Sequence, residues 1–293
     1  MIIFQIVGCR REQCSMLELR NKKLFAIVAF AATIAIIYWC YKYYAAGIYT
    51  LGRGTSGLSL FYTLNGCGNF LPFYIFVSFL SNNLVSDNYY KNKETGFQKF
   101  IVTRINSKKR KRTEILSVLL ISFIFRIIIH IITILTIYSL TKGLRLDFSG
   151  DPSYFPSSFF AFSNNSIISF ILYIIYSSIG FSIFSLFLYS LINYTKNYYV
   201  YKSLGIIIAI IGVLIPAFIG NIGLNYIDES NPIFTAFLYS IYSAGLISPG
   251  IETLNSTSGI LNLHLYFIIS CFGYLLMSAS LLKIGYKKEI KNG

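Results

Sequence analysis

Long apolar segments, separated by short polar ones, run along nearly the whole chain. Because a membrane-spanning helix needs about 20 mostly apolar residues, this pattern predicts about six spans. They cover residues 24–44, 60–85, 115–140, 166–192, 203–219 and 264–284. The second span is weaker than the first, since polar and helix-breaking residues, among them Asn65, Gly66 and Pro72, interrupt its outer half. The pattern therefore predicts an all-α integral membrane protein with a single transmembrane domain over residues 1–293.

One apolar stretch, residues 232–247, is too short to cross a bilayer. It lies within residues 220–263, between the last two predicted spans, and acidic residues flank it. Irregular backbone at membrane depth is tolerated where protein shields it. The stretch is therefore interpreted as a re-entrant segment that enters the membrane from the outside and returns to the same side.

The basic residues lie on one side of the predicted spans. The chain is 55% hydrophobic and 12% charged, and its net charge is +14. Lysine and arginine are concentrated in residues 1–23, in the loop of residues 86–114, around residues 193–202 and after residue 284. Such loops stay on the cytoplasmic side, so both termini are predicted to be cytoplasmic. The charge favours contact with anionic lipid rather than with nucleic acid. Residues 1–23 are interpreted as an interfacial segment, with a disordered tail as the alternative.

The loop of residues 86–114 is too long for a turn between two spans, and it contains a predicted short helix over residues 93–105. Its apolar and basic positions recur at steps of three and four, which is helical spacing. They are Phe97, Phe100, Ile101 and Arg104. An amphipathic cytoplasmic helix between two spans suggests a docking element for a partner. The alternative is a helix that rests on lipid.

Arg126 and His130 fall near the middle of the third predicted span. They are four residues apart and share one helix face. A charged residue inside the membrane is costly and usually faces a cavity or a partner. Two interpretations stay open. Arg126 lines a transport path or a subunit contact with His130 beside it, or it snorkels to the inner leaflet or hydrogen-bonds to carbonyls of neighbouring helices.

Sequence motifs for enzymatic chemistry are scarce. The chain has no GxxxxGK[ST] motif to hold a nucleotide phosphate and no HExxH motif. Its five cysteines are scattered without a CxxC pair. His264 and Cys271 share a helix face and suggest a thiol peptidase dyad, but the helix rise of ~10 Å between them is too long for direct proton transfer. The sequence predicts no catalytic residue, no metal site and no cofactor bound by this chain.

Three local stretches add a further signal. Residues 17–23 immediately precede the first span and contain the basic sequence Arg20-Asn21-Lys22. Asn231-Pro232 begins the re-entrant stretch. In residues 87–109 the informative positions are Glu94, Gly96, Phe97, Phe100, Thr103, Arg104, Ser107 and Lys108. Together with the topology, these stretches resemble the permease subunit of bacterial type-2 ABC exporters. One departure is that Arg104-Ile105-Asn106 stands where that family commonly has a proline after its coupling helix.

The resemblance implies that transport and ATP hydrolysis reside in different subunits. Two permeases, either two copies of this chain or this chain with a related one, would pair in the lipid bilayer. Each would bind a cytoplasmic ATPase subunit that holds ATP and magnesium. Phe97, Phe100 and Ile101 would enter a cleft on that subunit. Glu94 and Arg104 would make charged contacts at its rim.

The resemblance does not decide whether the exported molecule is a peptide, a lipid or a drug-like compound. Small transporters of this type often export antimicrobial peptides. One alternative is a membrane immunity or sensor protein for such a peptide that transports nothing. Its binding face would use the aromatic residues of the outer loop, Tyr154, Phe155, Phe159 and Phe160. A membrane thiol peptidase is the third possibility.

Overall fold

The computed structural model describes residues 24–42, 57–66, 70–83, 107–141, 162–163, 165–195, 197–226, 232–250 and 263–291. In this part of the chain, helices are the only regular secondary structure. The α-helices in chain order are α1 (Leu24–Lys42), α2 (Gly57–Asn65), α3 (Leu71–Asn83), α4 (Ser107–Thr141), α5 (Ser166–Ser190), α6 (Tyr198–Tyr226), α7 (Pro232–Ile241), α8 (Ser243–Ile247) and α9 (Leu263–Lys291). A short 3-10 turn, Leu191–Asn193, follows α5.

Five of these helices, α1, α4, α5, α6 and α9, are long and apolar enough to cross a membrane. The structure thus confirms the predicted all-α architecture, and the five helices support the prediction of a multi-pass membrane protein. Their outward residues suit a lipid environment, because large apolar side chains such as Leu135, Phe218 and Phe272 are more than half exposed. In water such surfaces would be unfavourable, whereas lipid tails solvate them.

The predicted second span, residues 60–85, holds two shorter helices, α2 and α3. The interruption coincides with Gly66, whose amide donates to the carbonyl of Tyr62 at 2.9 Å and closes α2. The amide of Phe70 in turn donates to the carbonyl of Gly66 at 2.8 Å, just before α3 begins. The glycine and the early proline of α3, Pro72, were the sequence signals for this irregularity.

Helix α5 lies at the centre of the bundle, where it packs against α3, α4, α8 and α9. Asn165 caps its first turn, because the side-chain oxygen accepts hydrogen bonds from the amides of Ile167 and Ile168 at 3.0 and 3.3 Å. Half of its apolar window is buried within the chain. Helix α5 has no distinct polar face, because one side packs within the bundle and the other, where Ile168 and Ile171 are about half exposed, suits lipid.

The stretch of residues 232–247 forms α7 and α8, which are separated by Tyr242 in an extended conformation (φ −80°, ψ 103°). Every residue of α8 is buried. Glycines on neighbouring helices permit this close packing. A Cβ at Gly180 of α5 would collide with the backbone of Leu246, and one at Gly212 of α6 would lie 2.5 Å from the Ser243 hydroxyl oxygen.

Many of the buried hydroxyl groups belong to one of two classes. Those of the first class donate to a carbonyl one turn earlier in their own helix, as Ser78, Thr133 and Ser178 do. Those of the second class join the segment of residues 232–248, called the α7–α8 segment, to its neighbours. The pairs are Ser248 with the Asn65 carbonyl, Tyr74 with Ser243, Ser177 with the Ile247 carbonyl, Ser243 with the Ala209 carbonyl, Ser270 with the Tyr239 carbonyl and Tyr274 with the Ile241 carbonyl. These bonds reach α2, α3, α5, α6 and α9.

Candidate functional site

Arg126 lies at the midpoint of the apolar stretch Lys111–Thr141 of α4, and His130 lies one turn further along the same face. Both side chains are only 1% exposed. The guanidinium is therefore enclosed by the helices of a single chain. A guanidinium keeps its proton in proteins, so the middle of this bundle holds a buried positive charge.

Ser177 of α5 connects these two residues to α8. Its hydroxyl oxygen lies 3.2 Å from Nε and 3.1 Å from Nη2 of Arg126, and 3.1 Å from Nε2 of His130. The hydroxyl donates its own proton to the carbonyl of Ile247 at 2.7 Å. Because that proton is used, the Nε2 nitrogen of His130 has to be the donor toward Ser177.

Asn65 supplies the other partner of Arg126. Its side-chain oxygen accepts from Nη2 of Arg126 at 3.2 Å, while its side-chain nitrogen donates to the carbonyl of Phe61 at 2.9 Å. The backbone carbonyl of Asn65 accepts from the Ser248 hydroxyl. The carboxyl ends of α2 and α8 therefore meet next to the guanidinium. We call Asn65, Arg126, His130 and Ser177, with the carbonyl of Ile247, the Arg126 cluster.

Only neutral groups compensate the positive charge within the part of the chain that the structure describes. Arg126 forms no ion pair with a carboxylate there, and its direct acceptors are a hydroxyl and an amide oxygen. The ring of Phe181 lies 5.9 Å from the guanidinium carbon and adds a cation–π contact. Carbonyls at helix carboxyl ends carry partial negative charge. These interactions make the charge tolerable without neutralising it.

Two nitrogens of the cluster are buried without a hydrogen-bond partner among the described residues: Nη1 of Arg126 and Nδ1 of His130. Tyr173 lies beside the guanidinium and stabilises its charge through an electrostatic interaction and side-chain hydrogen bonding. Most buried polar atoms in folded proteins are hydrogen-bonded. The cluster thus has unused hydrogen-bonding capacity at these two nitrogens.

An aromatic wall encloses the cluster. The ring of Phe61 lies 5.8 Å from His130 and 5.7 Å from Tyr173, and Tyr173 lies 6.0 Å from His130. Tyr62 packs edge-on against Tyr173 at 5.5 Å. These rings keep bulk water from the guanidinium, which strengthens every electrostatic interaction at the site because the local dielectric is low.

The structure describes some of the residues predicted from the sequence and not others. Arg126 and His130 are joined through Ser177. The predicted docking residues lie outside the described part of the chain; they are Glu94, Phe97, Phe100, Ile101 and Arg104. Sequence reasoning missed Ser177 and the Ile247 carbonyl, and it noted Asn65 only as an interruption of a span. No local signal distinguishes Ser177 from the other serines of α5.

His264 is engaged in contacts of its own. Its Nε2 lies 3.0 Å from the carbonyl of Phe162, and its Nδ1 lies 3.0 Å from the hydroxyl of Tyr176. A carbonyl only accepts, so Nε2 is the donor, and Nδ1 accepts from Tyr176 when the imidazole is neutral. Both ring nitrogens are thus occupied. This favours a packing role for His264 over that of a base for Cys271.

The described residues contain no group of three or more metal-ligating side chains. The candidate site is therefore the Arg126 cluster: a cation with neutral partners at the middle of a bundle of apolar helices. Comparison of the chain with protein-family models, with curated proteins and with solved structures finds no match in any of the three.

Proposed function

We propose that this chain is the membrane-spanning subunit of an ATP-driven exporter of the type-2 ABC class. It would move a peptide, lipid or drug-like molecule across the cell membrane, while a separate cytoplasmic subunit hydrolyses ATP. The observation that carries the proposal is the course of α4, which begins at Ser107 within the basic loop and continues to the Arg126 cluster.

Helix α4 has 35 residues. At 1.5 Å per residue it is ~50 Å long, which exceeds the ~30 Å hydrocarbon core of a bilayer. Its first turns contain Lys108 to Arg112, so this end would project from the membrane on the cytoplasmic side. The distance along the helix from Ser107 to Arg126 is ~28 Å. A movement of the loop would therefore be transmitted through one rigid helix to the cluster.

The arrangement of the helices supports the proposed topology. If α2 and α3 together make one interrupted crossing, they and the five long helices place both termini on the same side. The distribution of lysine and arginine assigns that side to the cytoplasm. The α7–α8 segment would then be re-entrant from the outer side, in accordance with the burial of α8 and the break at Tyr242.

The proposed energy source lies outside this chain. The sequence has no phosphate-binding loop, which fits an ATPase supplied by another subunit. Phe97, Phe100 and Ile101 would insert into a cleft of that subunit, and Glu94 and Arg104 would contact its rim. Closure of the ATPase pair on ATP would shift the loop, and a second permease would complete the transport path.

Co-purification of an ATPase is the experiment that tests this function. We expect the protein, solubilised from membranes of its native host, to retain an ATPase subunit. The double substitution Phe97→Glu/Phe100→Glu is expected to abolish that retention, because two carboxylates would replace the apolar contacts at the centre of the interface. The measurement is the identity and amount of ATPase recovered with each form.

A matched control is available in the same loop. Tyr89→Glu/Tyr90→Glu introduces the same two charges outside the predicted helix of residues 93–105, and we expect it to retain the ATPase. Equal loss in both double variants would show that the docking helix is wrongly assigned. If even the unmodified protein recovers no ATPase, the exporter proposal fails and the immunity or sensor alternative takes its place.

A further inference from the structure

We infer that the Arg126 cluster is an internal binding site for an anionic oxyacid group, a carboxylate or a phosphate, on the molecule that this protein exports. The inference rests on the proposed function, since it concerns the chemistry of the exported molecule. It starts from the number of hydrogen-bond donors in the cluster, which is larger than the number of acceptors.

More N–H groups point to the Ser177 hydroxyl oxygen than it has lone pairs to accept them. Three N–H groups lie within 3.2 Å of it, two on Arg126 and one on His130. A hydroxyl oxygen has only two lone pairs, and its own proton is already directed to the carbonyl of Ile247. Among the described residues, Nη1 of Arg126 is therefore still left without a hydrogen-bond partner, although Tyr173 also lies beside the guanidinium.

The missing acceptor is best supplied by an anion. Nη1 of Arg126 carries two N–H groups and has no hydrogen-bond partner in the described residues. Guanidinium groups bind carboxylate and phosphate oxygens with short, charge-assisted hydrogen bonds. The described chain offers no carboxylate to this arginine. A bound anion would provide both the acceptor oxygens and the opposite charge.

The second unpartnered nitrogen, Nδ1 of His130, indicates which protonation state of the ligand group fits the site. Because Nε2 donates to Ser177, the neutral imidazole presents a lone pair at Nδ1. An acid O–H of the ligand would donate to that lone pair, while the anionic oxygen accepts from Nη1 of Arg126. A monoprotonated phosphate group carries both kinds of group, acceptor oxygens for Nη1 and one O–H donor for Nδ1. A carboxylate satisfies both nitrogens when a proton enters with it and resides on Nδ1.

The location in the fold is also suited to a ligand. Binding sites of membrane transporters form near the bilayer midplane, where helices are interrupted. Arg126 lies at the midpoint of the apolar part of α4. The break between α2 and α3 and the carboxyl end of α8 lie next to it. Entry of a ligand requires the end of α8 to move away from Ser177, which is the kind of displacement that an ATP-driven cycle provides.

Thermal unfolding of the full chain in detergent tests the inference with defined probes. The probes are hexyl phosphate and hexanoate, with hexanol as the neutral match and sodium chloride added to keep the ionic strength constant. We expect at least one anionic probe to raise Tm by about 3 °C or more in a saturable manner. Hexanol and chloride are expected to have no such effect. The stronger of the two anions identifies the headgroup as phosphate or carboxylate.

Variants locate the effect. Arg126→Gln is expected to weaken the apparent affinity for the effective anion at least about 10-fold, and Arg126→Lys to weaken it less because the charge is kept. Arg112→Gln is the matched control, since Arg112 is an exposed arginine on the same helix, and we expect its affinity to equal that of the unmodified protein.

Two results would overturn the inference. One is a set of unfolding curves for the unmodified protein in which neither anion stabilises more than hexanol and chloride do. The other is an undiminished anion effect in folded Arg126→Gln or Arg126→Lys protein. Neither result bears on recovery of the ATPase, so failure of this inference and failure of the proposed function are separable.

Discussion

Replacing Gly180 with alanine is expected to destabilise the protein by about 3 kcal/mol, at the upper end of typical overpacking effects. The added methyl group would collide with the carbonyl and Cα of Leu246 in α8. Helix α5 itself would gain up to about 1 kcal/mol from the substitution, since alanine is the better helix former. A net loss therefore reports the displacement of α8. Unfolding of the purified protein by heat or by denaturing detergent measures it.

Gly285→Ala in α9 is the matched control. The methyl group there would face the side chain of Asn193, with the amide nitrogen as its nearest atom at 2.9 Å. A side-chain end can rotate away, whereas the backbone of a buried helix cannot. We expect the stability of this variant to change by less than about 1 kcal/mol. Similar losses in the two variants would mean that the contact between α5 and α8 is not the reason for the effect.

Ser177→Ala is expected to destabilise the protein by a similar amount, about 3 kcal/mol, through the loss of hydrogen bonds. The hydroxyl serves two nitrogens of Arg126, one of His130 and the carbonyl of Ile247. Each buried polar group left without a partner costs about 1–3 kcal/mol. The guanidinium would keep the side-chain oxygen of Asn65 as an acceptor. The same unfolding measurement applies, and we expect Tm to fall by roughly 5–10 °C.

The neighbouring serine provides the control for that prediction. Ser178 is as fully buried as Ser177, but its hydroxyl donates to Ile174 one turn earlier in the same helix. That carbonyl also accepts the ordinary helical hydrogen bond. Ser178→Ala is therefore expected to shift stability by no more than about 0.5 kcal/mol. If the two alanine variants behave alike, the Arg126 cluster contributes little to the stability of the bundle.

The long helices were predictable because their signal is local. Runs of about 20 apolar residues report a membrane span whatever surrounds them, and α1, α4, α5, α6 and α9 lie where such runs lie. Gly66 and Pro72 likewise indicated the irregular second span, since both residues disfavour a continuous helix. Arg126 was evident for the same reason, as a charge in an apolar run is visible without a structure.

The partners of Arg126 were not predictable from the sequence. Ser177 is one of several serines in α5, and only the register of α5 against α4 and α8 selects it. The break at Tyr242 has no glycine or proline to mark it. It occurs within a segment whose hydrogen bonds run to five different helices, so tertiary contacts rather than local propensity determine it.

The hydrogen bonds of the α7–α8 segment have a consequence for the integrity of the membrane. Six of them hold the segment to α2, α3, α5, α6 and α9. Polar contacts between membrane helices contribute ~0.6 kcal/mol each on average, so the six together oppose displacement by ~4 kcal/mol. Without an energy input the segment would be displaced in roughly one molecule in several hundred. In the exporter proposed above, the interior of the bundle would therefore stay closed to water and ions in almost every resting molecule.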